Sequence, residues 1–267
     1  MISRGNISSF IRNLGMLEFA DRTRFELEKL RYDKENRRFK EENPHIPLPP
    51  DYLMYESFGM SYRSYFMSGR ENAKFLKHHF SKFIDLNNKN ILDWGCGPAR
   101  IIRHMPKIVN NGCSFYGTDY NEKSIAWNKK NIDDVEFNLN TLAAKLPYEN
   151  GSMDIIYGLS IFTHLSEEMH FEWLYELKRI LRPGGILLIS VQGDNFLNKL
   201  TMKEKKIYQN GELVVRGNVK EGHRTYSAFQ PKTFMREMFE GLEILQHHIR
   251  PIQGGWIPQD IWIVRKN

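Results

Sequence analysis

Asp93, Gly95, Cys96, Gly97 and Arg100 fall in one short stretch, Lys89-Asn90-Ile91-Leu92-Asp93-Trp94-Gly95-Cys96-Gly97-Pro98-Ala99-Arg100. The order predicts a buried strand, a tight glycine turn and a helix start. In that arrangement backbone N–H groups come close to a mononucleotide-type ligand. The acid narrows the ligand further, because a carboxylate at the strand tip sits poorly beside a pyrophosphate and well beside an ammonium group. Arg100 also stands where the third glycine of a dinucleotide fingerprint would fall, which opposes a nicotinamide-dependent oxidoreductase. Asp119 closes the apolar run Phe115-Tyr116-Gly117-Thr118, 22 residues past Gly97. That spacing suits a carboxylate gripping the vicinal hydroxyls of a ribose.

More blocks follow in register: Leu146-Pro147-Tyr148, Ser152-Met153-Asp154-Ile155-Ile156-Tyr157, Ser160-Ile161-Phe162-Thr163-His164-Leu165 and Leu181-Arg182-Pro183-Gly184-Gly185. Together with the glycine turn, they make the chain from about Asn90 to Val191 resemble the class I S-adenosylmethionine-dependent methyltransferases. The resemblance implies an α/β, doubly wound, mostly parallel seven-stranded sheet with an antiparallel last strand, and S-adenosylmethionine as cofactor. By the same resemblance Asp93 would bind the methionine ammonium and Asp119 the ribose hydroxyls. Gly95, Cys96 and Gly97 would pack against the cofactor with Arg100 beside them. Asn140 would take the adenine edge, Gly69 and Arg70 the methionine carboxylate, and Ser160 a place beside the sulfonium.

Methyl transfer to oxygen or nitrogen is an in-line displacement that mainly asks a protein to position two partners and exclude water. A hydroxyl acceptor also wants a base near neutral pH, for which histidine is the usual choice. His164, at the mouth of the fourth strand, is the first candidate and His223 the second. The competing role for His164 is that of a helix-start residue orienting its loop. Residues 192–227 are too long for a plain connection and read as a substrate lid between strands five and six. Lys199, Lys203, Lys205, Lys206, Arg216, Lys220 and Arg224 outnumber Glu204, Glu212 and Glu221 there, which suggests an anionic acceptor. The expected function is methyl transfer to a small or glycan-like acceptor. A non-catalytic S-adenosylmethionine-binding partner subunit is the alternative.

Around these residues the chain divides into an N-terminal helical arm, residues 1–45, and a methyltransferase domain, residues 46–267. Ile7, Phe10, Ile11, Leu14 and Leu17 recur at helical spacing, and Asp21 to Glu42 reads as a solvated helix of mixed charge. Such an arm packs on its own domain or on a twin subunit, giving a homodimer. Asn43-Pro44 and Pro47-Leu48-Pro49-Pro50 end it. The aromatics from Tyr52 to Phe66 either line the acceptor pocket or cover the core, and a helix over Glu71 to Phe83 follows. Pro98 is placed to open a helix through Ile101, Ile102 and Met105, with Pro106 ending it. Asn121 and Ser166 are N-caps of the next two helices. Val135 to Leu139, Met153 to Ser160, Ile186 to Val191, Leu242 to Ile249 and Asp260 to Val264 read as strands, with Pro183-Gly184-Gly185 turning into the fifth. Asn210-Gly211 signals a hairpin between Lys206-Ile207-Tyr208 and Leu213-Val214-Val215.

The 267 residues suffice for a full α/β core. The net charge of +6 is well mixed and serves solubility more than nucleic-acid binding, for which no motif appears. Cys96 and Cys113 make no disulfide framework, which suits a reducing compartment, and no apolar run approaches a membrane span. The cytoplasm is the expected location. The pairs His78-His79 and His247-His248 point apart on a helix or strand, so no metal is expected.

Overall fold

The computed structural model describes residues 17–267 apart from residue 218. The predicted stripe from Ile7 to Leu14 lies outside those residues. The chain forms two compact units, residues 18–141 and residues 142–267.

The first unit opens with α1 (Leu17–Glu42), α2 (Asp51–Ser57) and α3 (Tyr62–Phe80). β1 (Asn90–Trp94), α4 (Met105–Val109), β2 (Ser114–Asp119), α5 (Glu122–Asn131) and β3 (Glu136–Leu139) follow. The second unit holds β4 (Met153–Leu159), α6 (Glu167–Ile180), β5 (Leu181–Val191), α7 (Met202–Gln209), β6 (Val214–Arg216) and β7 (Ser227–Phe229). It ends with α8 (Lys232–Met238), β8 (Leu242–His248) and β9 (Asp260–Lys266). The main sheet is seven-stranded, in the order β3-β2-β1-β4-β5-β9-β8. β1 pairs parallel with β2, β2 with β3, and β4 with β5, while β9 runs antiparallel to both β5 and β8. The mostly parallel sheet with an antiparallel last strand is therefore observed. That last strand lies inboard, and β8 forms the edge.

Local chemistry accounts for the elements. Ile91 and Leu92 of β1 are buried on both faces, as a central parallel strand requires. Asn121 and Ser166 accept from the N–H groups of Ser124 and Met169 and so start α5 and α6 as predicted. α6 buries Trp173, Leu174, Leu177 and Ile180 along one stripe. On α1 the charges pair along the exposed face, Arg24 with Glu28 and Arg38 with Glu42. Its buried Phe25 and Phe39 pack against Tyr55, Met60, Met54, Tyr62 and Tyr65 of the same unit. Those tyrosines are core cover. Tyr55 bonds Asp21, Tyr62 bonds Asp51, and Tyr65 donates to the carbonyl of Pro98 at 2.6 Å.

Four elements differ from the sequence reading. No regular helix follows the glycine turn: turns and a 3-10 segment fill residues 98–104, because Ala99 holds φ +59° and Pro106 is tolerated only in the first turn of α4. Asn210-Gly211 is no hairpin. Thr201 and Glu204 form a capping box that nucleates α7 through Gln209, so Asn210 caps its C-terminus, and β6 pairs instead with β7. α3 begins at Tyr62, nine residues early, because Ser61 supplies a cap by accepting from the N–H of Ser64. Pro183-Gly184-Gly185 is a bulge inside β5, since Met153 faces Leu181 while Ile155 faces Ile186.

Each unit has one notable packing feature. Gly69 of α3 lies so close to the glycine turn that a Cβ there would sit 2.1 Å from the Arg100 carbonyl oxygen. In the second unit His170 is fully buried, its Nδ1–H donating to Ser166 O at 2.7 Å and its Nε2 accepting from Gln230 at 3.1 Å. The Gln230 amide also donates to Phe162 O and accepts from Gln192 N–H, tying the base of the segment 192–227 to the turn after β4.

Gly69→Ala is expected to cost about 1–3 kcal/mol by overpacking, read from the urea midpoint. Burial lowers the His170 pKa to about 4. The unfolded chain takes up this proton below about pH 6.5 while the folded ring does so only near 4. Its contribution is thus complete above the unfolded value and is lost as pH falls, by about 3 kcal/mol at pH 4. Urea unfolding of wild type and His170→Leu between pH 7 and pH 4 should show that share of the pH dependence vanish in the variant.

Candidate functional site

In the first unit the glycine turn is clamped from β2. Gly95 and Gly97 hold φ +77° and +50°, a left-handed path open to glycine at little cost. The N–H groups of Gly95 and Cys96 donate to Thr118 O at 2.8 and 3.0 Å. The Gly97 N–H donates to Asp119 Oδ2 at 2.8 Å, and Asp119 Oδ1 accepts from Asn121 N–H at 2.8 Å. Asp119 is buried, and desolvation raises its pKa against the pull of those backbone donors. Tyr120 is a third backbone donor to it, and of the carboxylate's roughly four lone-pair sites some acceptor capacity for a hydroxyl group is left.

Asn128, absent from the sequence reading, completes the clamp. Its side chain on α5 is fully buried and donates to the Gly97 carbonyl at 2.8 Å. The only sequence signal was its place three residues after the buried Ile125 on the inner face of the helix. Cys96 is buried between these groups. Burial, then Asp119 and Asp93, push its thiol pKa well up, so it is an inert packing group. Asp93 is buried at the end of β1. Arg100 lies over the Phe58 ring at 4.8 Å and donates to Ser68 Oγ at 3.2 Å, while Arg70 is exposed one residue past Gly69. Asn140 is partly committed already: Thr118 Oγ1 donates to its Oδ1 at 2.7 Å and its Nδ2 donates to Thr141 O at 2.6 Å. One lone pair and one N–H remain for another partner.

In the second unit Ser160 follows β4 with φ +69°, an uncommon conformation for a residue with a Cβ. A closed set of bonds holds it. Its N–H donates to Ser190 Oγ, Ser190 donates to Gln259 Oε1, and Gln259 Nε2 donates back to Ser160 Oγ, at 2.8, 2.6 and 2.8 Å. Thr163 spends its hydroxyl proton on Ser160 O at 2.6 Å, so the Ser160 hydroxyl donates to Thr163 Oγ1 at 2.9 Å. Ser190 and Gln259, likewise unforeseen, are separated by 69 residues in sequence and meet only because β9 pairs with β5.

His164 is held at both ends. Its Nδ1–H donates to Tyr226 O at 2.8 Å, and its own carbonyl accepts from Gly222 N–H at 2.9 Å. Burial lowers its pKa, helped by His223 and Arg224. The ring is therefore neutral at pH 7, with its lone pair on Nε2. His223 Nδ1 lies 2.8 Å from Thr225 Oγ1 and accepts from the Thr225 N–H at 3.3 Å. Residues 192–227 carry a core of their own, Phe196, Leu200, Tyr208 and Val214 against Phe229 of β7. Among the described residues no group of three or more His, Cys, Asp or Glu side chains is gathered to hold a metal ion. Nor is any helix there long and apolar enough to cross a membrane.

Residues 92–189 match the family model described as a methyltransferase domain. The tRNA N(3)-methylcytidine methyltransferase of Schizosaccharomyces pombe is 28% identical over 182 residues, 63% of this chain and 57% of that protein. The chain thus spans little more than half the length of this curated relative. Among solved structures, a S-adenosylmethionine-dependent methyltransferase from Methanosarcina mazei superposes with TM-score 0.53 at 17% identity, over 70% of this chain and 96% of that one. Magnesium protoporphyrin IX methyltransferase from Synechocystis, solved with S-adenosylhomocysteine bound, gives 0.53 at 15%, over 76% and 86%. Sheet order and the superposed structures give this chain the fold of these methyltransferases, and residues 92–189, which hold the glycine turn, are similar to the methyltransferase domain.

Proposed function

We propose that the protein transfers a methyl group from S-adenosylmethionine to an oxygen or nitrogen of a polar acceptor. The observation that carries this is the Asp119 clamp: one buried carboxylate fixes the Gly97 N–H and, beyond its backbone donors, keeps acceptor capacity for a hydroxyl group. The turn fits the cofactor, because an uncluttered left-handed backbone beside a hydroxyl-accepting acid is what a nucleoside sulfonium presents itself to. When bound, S-adenosylmethionine supplies an electrophilic methyl group on a positively charged sulfur.

The chain's own part is binding and placement. Asp93 takes the methionine ammonium, and Arg70 and Arg100 bring positive charge for the carboxylate. Gly69 serves by letting α3 lie against the turn. Gly95, Cys96 and Gly97 make the floor, Asp119 holds the ribose hydroxyls, and the spare valences of Asn140 meet the adenine edge. Ser160 contributes a fixed backbone, since its hydroxyl is occupied within the protein. His164 and His223 are assigned to holding the loop 220–226; a buried, neutral His164 ring without a carboxylate partner is a weak proton acceptor.

The acceptor is read as a small polar, anionic molecule from the Lys and Arg surplus of residues 198–227. A second reading, a base nitrogen in RNA, is favoured by the similarity to the fission-yeast tRNA methyltransferase. Within the cell we place the protein in the cytoplasm, in keeping with its two free cysteines.

Transfer of labelled methyl from S-adenosylmethionine into separated RNA, lipid, glycan and small-molecule fractions tests both readings. Label in the small-molecule fraction supports the first, label in RNA the second, and tight binding with no label anywhere indicates a non-catalytic partner subunit. By calorimetry, Asp119→Ala should weaken S-adenosylmethionine at least tenfold, about 1.4 kcal/mol. Asn128→Ala, which frees the Gly97 carbonyl, should destabilise the fold by about 1–3 kcal/mol and weaken the cofactor as well.

A further inference from the structure

His247 and Asp260 form a pair that no step above uses. His247 Nε2 donates to Asp260 Oδ2 at 2.9 Å, and the two side chains are only 11% and 4% exposed. The imidazole lies flat on the Trp262 indole, with centroids 3.8 Å apart and planes 10° from parallel, so its ring plane is fixed as well as its tautomer. With the proton on Nε2, the lone pair is on Nδ1.

The pair's place in the sheet is specific. Val191, the last residue of β5, faces Asp260, and His247 of β8 faces Trp262. Both members therefore stand at the carboxyl edge of β4 and β5, the edge outside which open α/β sheets bind their ligands. Residues 192–227 approach this spot. Gly193 lies so near that a Cβ would fall 2.3 Å from Asp260 Oδ2. From α7, Tyr208 donates to Asp194 Oδ1 at 2.9 Å, and both Asp194 and Asp260 help burial to hold its phenol protonated. The titratable group bonded to His247 is thus Asp260 on β9, and Tyr208, bonded to Asp194, acts electrostatically with Asp260 from the intervening segment. Among the described residues Asp260 Oδ1 is buried and has no hydrogen-bond partner. A buried carboxylate oxygen left in that state is costly unless a ligand or a charged neighbour answers it.

We infer that His247, oriented and charge-balanced by Asp260, is the group that takes the acceptor's proton during methyl transfer. The inference rests on the methyl-transfer reading. In the step, the acceptor's O–H or N–H bond breaks and its proton goes to His247 Nδ1. The electron pair left on the acceptor bonds the methyl carbon, and the carbon–sulfur pair returns to sulfur. Asp260 stabilises the imidazolium that results, whereas the His164 ring is bonded to a backbone carbonyl. Asp260 Oδ1 remains to receive a donor from the acceptor.

The test uses the full chain and whichever fraction the wild type labels, with three variants. His247→Gln removes the base, His247→Phe keeps a ring on Trp262 but no nitrogen, and Asp260→Asn keeps the shape but not the charge. Expected are at least 50-fold slower label transfer in both His247 variants, S-adenosylmethionine affinity within about twofold of wild type, and a wild-type rate that falls at acid pH. In Asp260→Asn that acid limb should move to lower pH. Wild-type rate in His247→Phe, or an acid limb unmoved in Asp260→Asn, would reduce the pair to a packing element and overturn the inference alone. Failure of the wild type to bind S-adenosylmethionine would reject the function and this inference together.

Discussion

The bond from the Gly97 N–H to the buried Asp119 carboxylate is the constraint on which the ligand end of the first unit depends. A left-handed glycine turn left to itself samples many paths. Here its donors go to Thr118 and Asp119, and its Gly97 carbonyl goes to Asn128, so β2 and α5 decide its shape. α3 presses on the outer side through Gly69 and the Tyr65 hydroxyl. The turn is a rigid cradle assembled from four separate stretches of chain. Burying Asp119 raises its pKa, and the backbone donors that offset this are the same ones that define the turn.

The second unit solves a similar problem without charge. Ser160 sits in an uncommon conformation, of the kind that persists only where the surroundings over-determine it. A ring of hydrogen bonds through Ser190 and Gln259, closed by Thr163, does so. Every hydroxyl proton in it is used, so these side chains shape the strand end and leave binding to others. His170 with Gln230 extends the same logic inward: a ring kept neutral by burial holds the turn after β4 and the base of the segment 192–227 in one network.

Histidines show how placement sorts one residue type into different tasks. His170 and His164 each give Nδ1–H to a carbonyl and are pushed toward neutrality by burial, which makes them struts. His247 gives Nε2–H to a carboxylate instead. The partner, a carbonyl in two cases and a carboxylate in the third, is what separates them.

Sequence alone determined the sheet class and the glycine turn. These rest on local signals: apolar runs of strand length, glycines where the path turns left-handed, an acid at the ends of β1 and β2, and caps at Asn121 and Ser166. It misread the stretch after Pro98 and the Asn210-Gly211 turn, where Ala99 and the Thr201–Glu204 box outweighed a plausible local pattern. Tertiary structure decided the partners. Asn128 with Gly97, Ser190 with Gln259, and His247 with Asp260 are joined across 31, 69 and 13 residues of sequence. Polar pairs of this kind carry no periodicity. They exist because strand pairing and helix packing bring two buried polar groups together, and each must then satisfy the other.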